Sequence, residues 1–436
     1  MGKIKLEGYI CERCCHKWVA RNKSVPIVCP KCFPPDMVIS GEYKKISEFC
    51  DGEKVFGISG RLSSTEKVFS HDWKGELVEI KAAGCLPIRA TSEHKIFRTH
   101  CIQKSRSKKR KFSRTFLNPE LTEAVYLKKS PASENKNDCG DYLIMPKIKS
   151  DFSGKKIHLM RFTTSHGLKV LKGKNLKNYL PLNKDVAWML GLYVAEGFSN
   201  FKKEIVCFCL GKHEKKLIEN LARIGKNLGL KTRIVEAETA CLVYLSSRIY
   251  ARAFREWFGV SAKTKQIPPF IMFHTDKKIY ESFMKGYLEG DGNWKVNEGR
   301  ARVNANTVSE KLALQLQLLS VKMGDFFNIT KVDFSKYKSE FKGRVIHGGV
   351  GFLLRASAGR ISSLLGIKKS PRHNKSYKFF DNYVAVPIKS IKMVAYSGKV
   401  FNIQTEEGNY LVNNLAVKNC KSPYWNTKRK VKMKCK

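Results

Sequence analysis

The stretch VFNIQTEEGNYLVNNLAVKNC, Val400 to Cys420, alternates apolar and polar residues, the period-two pattern of a pair of half-buried strands. It stops on Asn419-Cys420. A thiol is a nucleophile, and an asparagine amide can attack its own backbone carbonyl and break the chain there. An amide beside a thiol at the end of a strand pair therefore points to chemistry on the backbone. The plain alternative is a final hairpin followed by a stray cysteine, since a short motif needs structural context.

Far upstream, Cys11-Glu-Arg-Cys14 is followed by Cys29-Pro-Lys-Cys32. Two CxxC pairs at this spacing are a strong signal for thiolates sharing one tetrahedral Zn2+. Cys15 and His16 sit beside the first pair, and either could substitute as a ligand. The zinc-ribbon pattern breaks off at Cys32, where Phe33-Pro-Pro-Asp-Met-Val leads through a turn into a strand. It resumes at Cys420-Lys-Ser-Pro-Tyr-Trp-Asn426. Joining Lys31 to Cys420 restores a continuous ribbon with Cys11, Cys14, Cys29 and Cys420 as its cysteines. Each end reads as half of one small basic zinc protein.

The 436 residues exceed one ordinary core, so two or three domains are expected. With 82 basic against 38 acidic residues the formal charge is +44, while 42% hydrophobic content is enough to fold. Polyanions, nucleic acid first among them, are the natural partners of such a field. No apolar run approaches the roughly 18 residues of a membrane helix, and MGKIKLEG lacks a signal-peptide core. The expected location is cytoplasmic. There the 14 cysteines read as metal ligands, nucleophiles or buried thiols before disulfides.

From Asp51 to Lys147 short strands alternate with turns, among them Val55-Phe-Gly57, Glu76-Leu-Val-Glu-Ile80 and Cys85 to Thr91. This predicts an all-β module. Lys104 to Arg110 is a basic run suited to a solvated or DNA-contacting loop, and Leu127 to Cys139 reads as a polar loop before a strand from Gly140. Thr91-Ser-Glu-His94 pairs a hydroxyl with an imidazole, which together could polarise a carbonyl and protonate a leaving nitrogen. A satisfied loop histidine is the bland reading.

Asp185 to Gly197 (DVAWMLGLYVAEG) and Tyr280 to Gly292 (YESFMKGYLEGDG) form an internal repeat. Both read as helices with small residues at i, i+4 and i+8: Ala187, Gly191, Ala195 against Ser282, Gly286, Gly290. Such stripes let two backbones approach closely. Each helix ends on an acid before a glycine that suits the C′ position, Glu196-Gly197 and Asp291-Gly292. The helix C-terminus repels a carboxylate by roughly 0.3–1 kcal/mol, and two acids side by side repel each other. A divalent cation between them removes both objections, as in a two-metal phosphodiester cleavage site. Glu289 is expected to be solvated. Lys265 could stabilise a phosphorane or polarise water, or it could only contact phosphate. Strands over 201–210 and 232–245 and a helix over 212–229 follow the first repeat. Strands over 301–307 and 343–355 and a helix over 309–323 follow the second. The result is a pseudo-twofold α+β domain whose sheets suit a DNA major groove.

Together these motifs resemble an intein carrying a LAGLIDADG homing endonuclease, inserted in a small archaeal-type zinc-ribbon protein. The resemblance covers nearly the whole chain. Cys32-Phe-Pro-Pro-Asp-Met-Val looks like the first splicing block, Thr91-Ser-Glu-His94 like the TxxH block, and 400–420 like the last two. It implies an N-extein at 1–31, an all-β horseshoe Hint splicing domain from 32–150 and 384–419, and a linker at 151–183. The endonuclease would occupy 184–383 and the C-extein 420–436. It further implies that Cys32 attacks the Lys31 carbonyl with help from His94 and from Thr91 as carbonyl-polarising donor. Cys420 then accepts the acyl group, Asn419 cyclises, and Lys31 is ligated to Cys420 without a cofactor. Glu196, Asp291 and Lys265 match the endonuclease's metal ligands and lysine, implying Mg2+-dependent cutting of double-stranded DNA in the uninterrupted host gene.

The sequence departs from that family at Lys418, where a histidine is usual, at Asn402 for an acid or cysteine, and at Gly408 for a histidine. These departures predict slow asparagine cyclisation. Before splicing, Cys32 completes the knuckle that Cys420 completes afterwards, so Zn2+ could hold the nucleophile as a bound thiolate. Two competing readings are a free-standing homing nuclease with vestigial β segments, and a basic zinc-ribbon nucleic-acid binder with an inactive insertion.

Overall fold

The computed structural model describes residues 6–10, 17–18, 31–106, 111–130, 138–163, 178–200, 203–297, 300–335, 338–341, 344–357, 359–367, 377–419 and 430–433. The chain divides into two compact units, 1–147 with 375–436, and 148–374. No helix among the described residues is long and apolar enough to cross a membrane.

Antiparallel strands build the first unit. The main ones are β1 (Leu62–Ala82), β2 (Ile88–Thr91), β3 (Lys95–Arg106), β4 (Asp138–Pro146), β5 (Tyr383–Thr405), β6 (Asn409–Val412) and β7 (Leu415–Lys418). In one 13-stranded sheet, β6, β7, β3, β4, β5 and β1 lie side by side in that order. The sequence predicts short strands over 51–147, yet β1 runs 21 residues, and its partner β5 runs 23. They pair from Ile388↔Ala82 to Thr405↔Thr65. Apolar burial is confined to the two ends of this ribbon, with Leu77, Val78 and Ile388 at one and Val400 and Ile403 at the other. None of residues 66–76 or 389–399 is buried, so ladder hydrogen bonds rather than a core hold the middle.

Where a strand pair is expected, three strands follow one another: the end of β5 and then the β6–β7 hairpin. Its loop is Asn413-Asn414, with φ of 48° and 69°. Positive φ at both loop positions is the type I′ geometry that matches strand twist, and asparagine tolerates it. Ser40 Oγ accepts from Asn414 N at 3.0 Å, and Asn413 Nδ2 donates to Pro87 O at 2.8 Å. At the chain's two ends, Leu6–Ile10 lies antiparallel between Lys17–Trp18 and Lys430–Met433, with Leu6 opposite Met433.

The second unit repeats one pattern twice. Its helices include α1 (Lys184–Glu196), α2 (Lys215–Asn227), α3 (Arg248–Phe258), α4 (Lys277–Asp291), α5 (Glu310–Lys322) and α6 (Arg360–Leu364). After α1 a four-stranded sheet orders Gly197–Asn200, Ile205–Gly211, Ala240–Ser246 and Lys231–Glu236. After α4 the same order recurs as Gly292–Asn297, Arg300–Thr307, Val350–Ser357 and Asn328–Asp333. The single strand expected over 232–245 is therefore a hairpin, and α3 and α6 are additions to the expected elements. The stretch expected as a linker, 151–183, is more than a connection. Lys156–His158 pairs with Tyr179–Pro181, and Phe162 meets the Trp257 ring edge-on at 5.5 Å.

The small-residue stripes of α1 and α4 do what their spacing predicts. A Cβ on Gly191 would lie 1.9 Å from Phe283 O, and one on Gly286 would lie 2.0 Å from Trp188 O. Backbone meets backbone with no side chain between. Asn183 Oδ1 caps α1 by accepting from Val186 N at 2.9 Å, and Asp276 caps α4 by accepting from Lys278 N at 2.8 Å. At the other ends the glycines differ from expectation. Gly197 and Gly292 have φ of −97° and −83° and run straight into strands. Glycine is needed for space instead: a Cβ on Gly292 would sit 2.1 Å from Leu288 O.

Candidate functional site

The Cys32 site begins with an isolated antiparallel bridge. Phe33 N donates to Phe401 O at 2.8 Å, and Phe401 N donates to Phe33 O at 2.7 Å. The bridge sets Asn402 across from Lys31-Cys32. Asn402 is 1% exposed, and its Nδ2 donates to the Lys31 carbonyl oxygen at 2.5 Å. Thr91 lies on the other side of Cys32. Its Oγ1 accepts from Cys32 N at 2.9 Å and donates to Cys32 O at 3.3 Å. The expectation that Thr91 polarises the Lys31 carbonyl is thus corrected: Asn402 occupies that carbonyl, because the Phe33–Phe401 bridge brings β5 to it. His94 is buried with its ring 4.1 Å from that of Phe33, and Cys32 Sγ lies 3.8 Å from His71 Nδ1.

Asn419 is buried at the end of β7. Its Nδ2 donates to Thr405 O at 3.0 Å and to Thr405 Oγ1 at 3.3 Å, while its backbone N donates to Gly408 O at 3.3 Å. Its Oδ1 is buried with no hydrogen-bond partner among the described residues. Lys418 stands opposite Asn409 in the hairpin. Strand β5 therefore touches both places, through Asn402 at Lys31 and through Thr405 at Asn419. Gly408 has φ of 78°, the left-handed conformation glycine favours. A histidine there, as the resemblance implies, would be strained.

In the second unit the two helix-end acids share one electrostatic site. Burial pushes the Glu196 carboxyl up, Glu214 adds to this and Lys265 opposes it. Asp291 is pushed up to about 7, first by burial and then by the charge of Glu196, again against Lys265. Burial pulls Lys265 down to about 8, against the attraction of Asp291 and Glu196. The lysine is anchored. Its Nζ donates to Tyr193 O at 2.7 Å and to Gly197 O at 2.6 Å, and it lies 4.5 Å from the centre of the Tyr193 ring. It thus reaches one carbonyl in the last turn of α1 and the first carbonyl beyond it, beside Glu196. Ser309 Oγ donates to Lys265 O at 2.7 Å, and Gln315 brackets Ile267 through its N and O at 2.7 and 3.1 Å. Glu289, expected to be solvated, instead accepts from the Trp188 indole N–H.

Cys11, Cys14, Cys29 and Cys420, with Cys15, His16 and residues 107–110, lie outside the described residues. Among the described residues no three His, Cys, Asp or Glu side chains group as a metal site. Sequence reasoning missed His71, which sits mid-strand in no motif. It also read Asn402 only as a departure that leaves asparagine cyclisation short of help, where the structure puts its amide on Lys31 O.

No family model matches the chain. Over 408 residues it is 27% identical to the ATP-dependent DNA helicase Hel308 of Thermococcus kodakarensis, covering 86% of this chain and 35% of the helicase. A DNA polymerase of Thermococcus hydrothermalis is 24% identical over 263 residues, 54% of this chain and 16% of the polymerase. The replication factor C small subunit of Methanocaldococcus jannaschii is 33% identical over 135 residues, 27% of this chain and 7% of that protein. The chain therefore spans about a third of the helicase and far less of the other two. Similar solved structures include the homing endonuclease I-DmoI and a LAGLIDADG domain. I-DmoI in complex with DNA and Ca is 16% identical, covering 42% of this chain and 88% of that one, with a TM-score of 0.30. The N-terminal LAGLIDADG domain of DUF199/WhiA is 15% identical, covering 40% and 78%, with a TM-score of 0.24.

Proposed function

We propose that this chain is a self-splicing precursor. Residues 32–419 excise themselves and join Lys31 to Cys420, and the excised part is also a metal-dependent, site-specific DNA endonuclease. The observation that carries the reading is the setting of the Lys31–Cys32 peptide, with Asn402 on the carbonyl, Thr91 on the amide of Cys32 and His71 beside the thiol. A peptide bond gripped on its carbonyl, its amide and its nucleophile is equipped for an acyl shift. Two further findings support it. The strand at 6–10 pairs with that at 430–433, as two halves of one small protein would across an insertion. Proteins named as a helicase, a DNA polymerase and a replication factor share sequence with this chain over part of their lengths, as hosts of a mobile insertion would.

In this mechanism Cys32 Sγ attacks the Lys31 carbonyl carbon while His71 takes the thiol proton. His94, whose ring packs against that of Phe33, is assigned to protonate the leaving nitrogen. The acyl group passes to Cys420, Asn419 cyclises, and an S-to-N shift leaves a Lys31–Cys420 peptide. The product is a small basic zinc-ribbon protein, with Zn2+ on Cys11, Cys14, Cys29 and Cys420.

Glu196 and Asp291 fit a divalent cation such as Mg2+, because burial disfavours the charge of both at helix ends that already repel anions, and Glu196 further disfavours the charge of Asp291. When bound, the ion would supply Lewis acidity at a phosphodiester of double-stranded DNA. Lys265 holds the end of α1 and so fixes Glu196. The formal charge of +44 supplies attraction for the duplex.

Mass spectrometry of the expressed chain tests the splicing. Free 32–419 and a ligated zinc-ribbon product are expected, and Asn419→Ala with Cys420→Ala should abolish both. An intact chain that persists under all conditions sinks the proposal. Magnesium-dependent cutting of the uninterrupted host gene tests the nuclease separately.

A further inference from the structure

We infer that Asn402 is a catalytic residue of the first splicing step, a neutral donor to the Lys31 carbonyl that Tyr410 holds in the donating orientation. The inference rests on the splicing reading above. A side-chain amide has two faces, and only the NH2 face can stabilise an oxyanion. Here the choice is fixed. Asn402 Oδ1 accepts from Tyr410 Oη at 2.8 Å and from Ile403 N at 2.7 Å. With both donors on the oxygen, Nδ2 must face Lys31 O, where it sits at 2.5 Å. Asn402 and Tyr410 are 1% and 0% exposed, so water does not compete for the carbonyl and the contact acts in a low-dielectric setting.

The step balances without an added reactant. The Cys32 Sγ–Lys31 C bond forms and the Lys31 C–Cys32 N bond breaks. The thiol proton ends on the freed α-amine of Cys32. Negative charge that builds on Lys31 O in between meets the Asn402 N–H. An acid at 402 would behave differently. It would donate only when protonated, and as a carboxylate it would face the carbonyl oxygen with repulsion. Asparagine makes the donor independent of pH. Tyr410 touches no reacting atom and is a positioning residue.

The test uses the full chain with Asn419→Ala and Cys420→Ala, where dithiothreitol should release residues 1–31 from the thioester. In that background Asn402→Ala should slow release about 10²–10³-fold, the range for loss of one oxyanion donor. Tyr410→Phe should slow it about tenfold or more. Asn402→Asp, isosteric and able to keep the Tyr410 and Ile403 contacts, should be as slow as alanine at pH 8 and recover towards the parent as pH falls. Release from Asn402→Ala at the parental rate overturns the assignment, as does an Asn402→Asp pH profile that parallels the parent. A folded parent that releases nothing overturns the splicing reading itself, and this inference with it.

Discussion

The side-chain nitrogen of Asn419 donates to the carbonyl oxygen of Thr405 at 3.0 Å and to its hydroxyl at 3.3 Å. The atom that would attack the Asn419 carbonyl is therefore tied elsewhere and must swing free, with Lys418 rather than an acid–base residue beside it. Lys418→His is expected to speed C-terminal cleavage by about tenfold or more, within the ~10²–10⁴ that a well-placed acid–base group supplies. Following branched and cleaved species by mass spectrometry checks this. Equal rates in the two proteins, with no accumulated intermediate in the parent, would count against it.

His71→Gln should slow thioester formation about 10²-fold while leaving the fold intact, because the side chain is half-buried and 3.8 Å from the thiol sulfur. Dithiothreitol-induced release of residues 1–31 is the readout. A variant as fast as the parent assigns the base elsewhere.

Gly191→Ala and Gly286→Ala each force a methyl to within 1.9 or 2.0 Å of a facing carbonyl oxygen. Separating the helices costs packing along the whole seam, about 1–3 kcal/mol or more. A lower urea midpoint for the second unit, with loss of DNA cutting and unchanged splicing, is the expected pattern.

Asp291 titrates near 7 in the fold against an ordinary 3.8. An acid raised on folding costs nothing below its unfolded value. The cost appears as pH climbs past about 4 and is complete above about 7. Without divalent metal the second unit should therefore weaken over that window. Asp291→Asn should flatten the profile, raise stability at pH 8 by about 1–3 kcal/mol, and abolish DNA cutting. Urea midpoints from pH 4 to 8 in chelator decide it; a mutant with the parental slope argues against the coupling.

The α1–α4 seam was legible in the sequence because close helix packing needs small residues at a fixed period, and Gly191 and Gly286 supply it. The strand pair after Val400 was legible for the same kind of reason, its apolar residues alternating wherever one face is buried. β1 and β5 were not. Along 66–76 and 389–399 no residue is buried, so no alternation marks a strand that backbone pairing alone sustains. His71 lies in that silent middle. Asn402 was read as an acid lost from the last splicing block, because a one-dimensional pattern does not reveal that the Phe33–Phe401 bridge turns its amide toward Lys31. Lys265 lies within the electrostatic reach of both acids, and its anchoring on Tyr193 and Gly197 depends on the path of a loop that no motif shows.

Pro146 pairs with Tyr383, and Lys147 N donates to Asn382 O at 2.8 Å. The polypeptide thus departs from the sheet and returns to it at neighbouring rungs, as it would around a tight turn. Everything between could be lost, exchanged or grown in the gene without disturbing a single rung of the ladder. Selection can therefore discard the inserted unit and keep the sheet, and under the proposed function the two activities would be free to decay at separate rates.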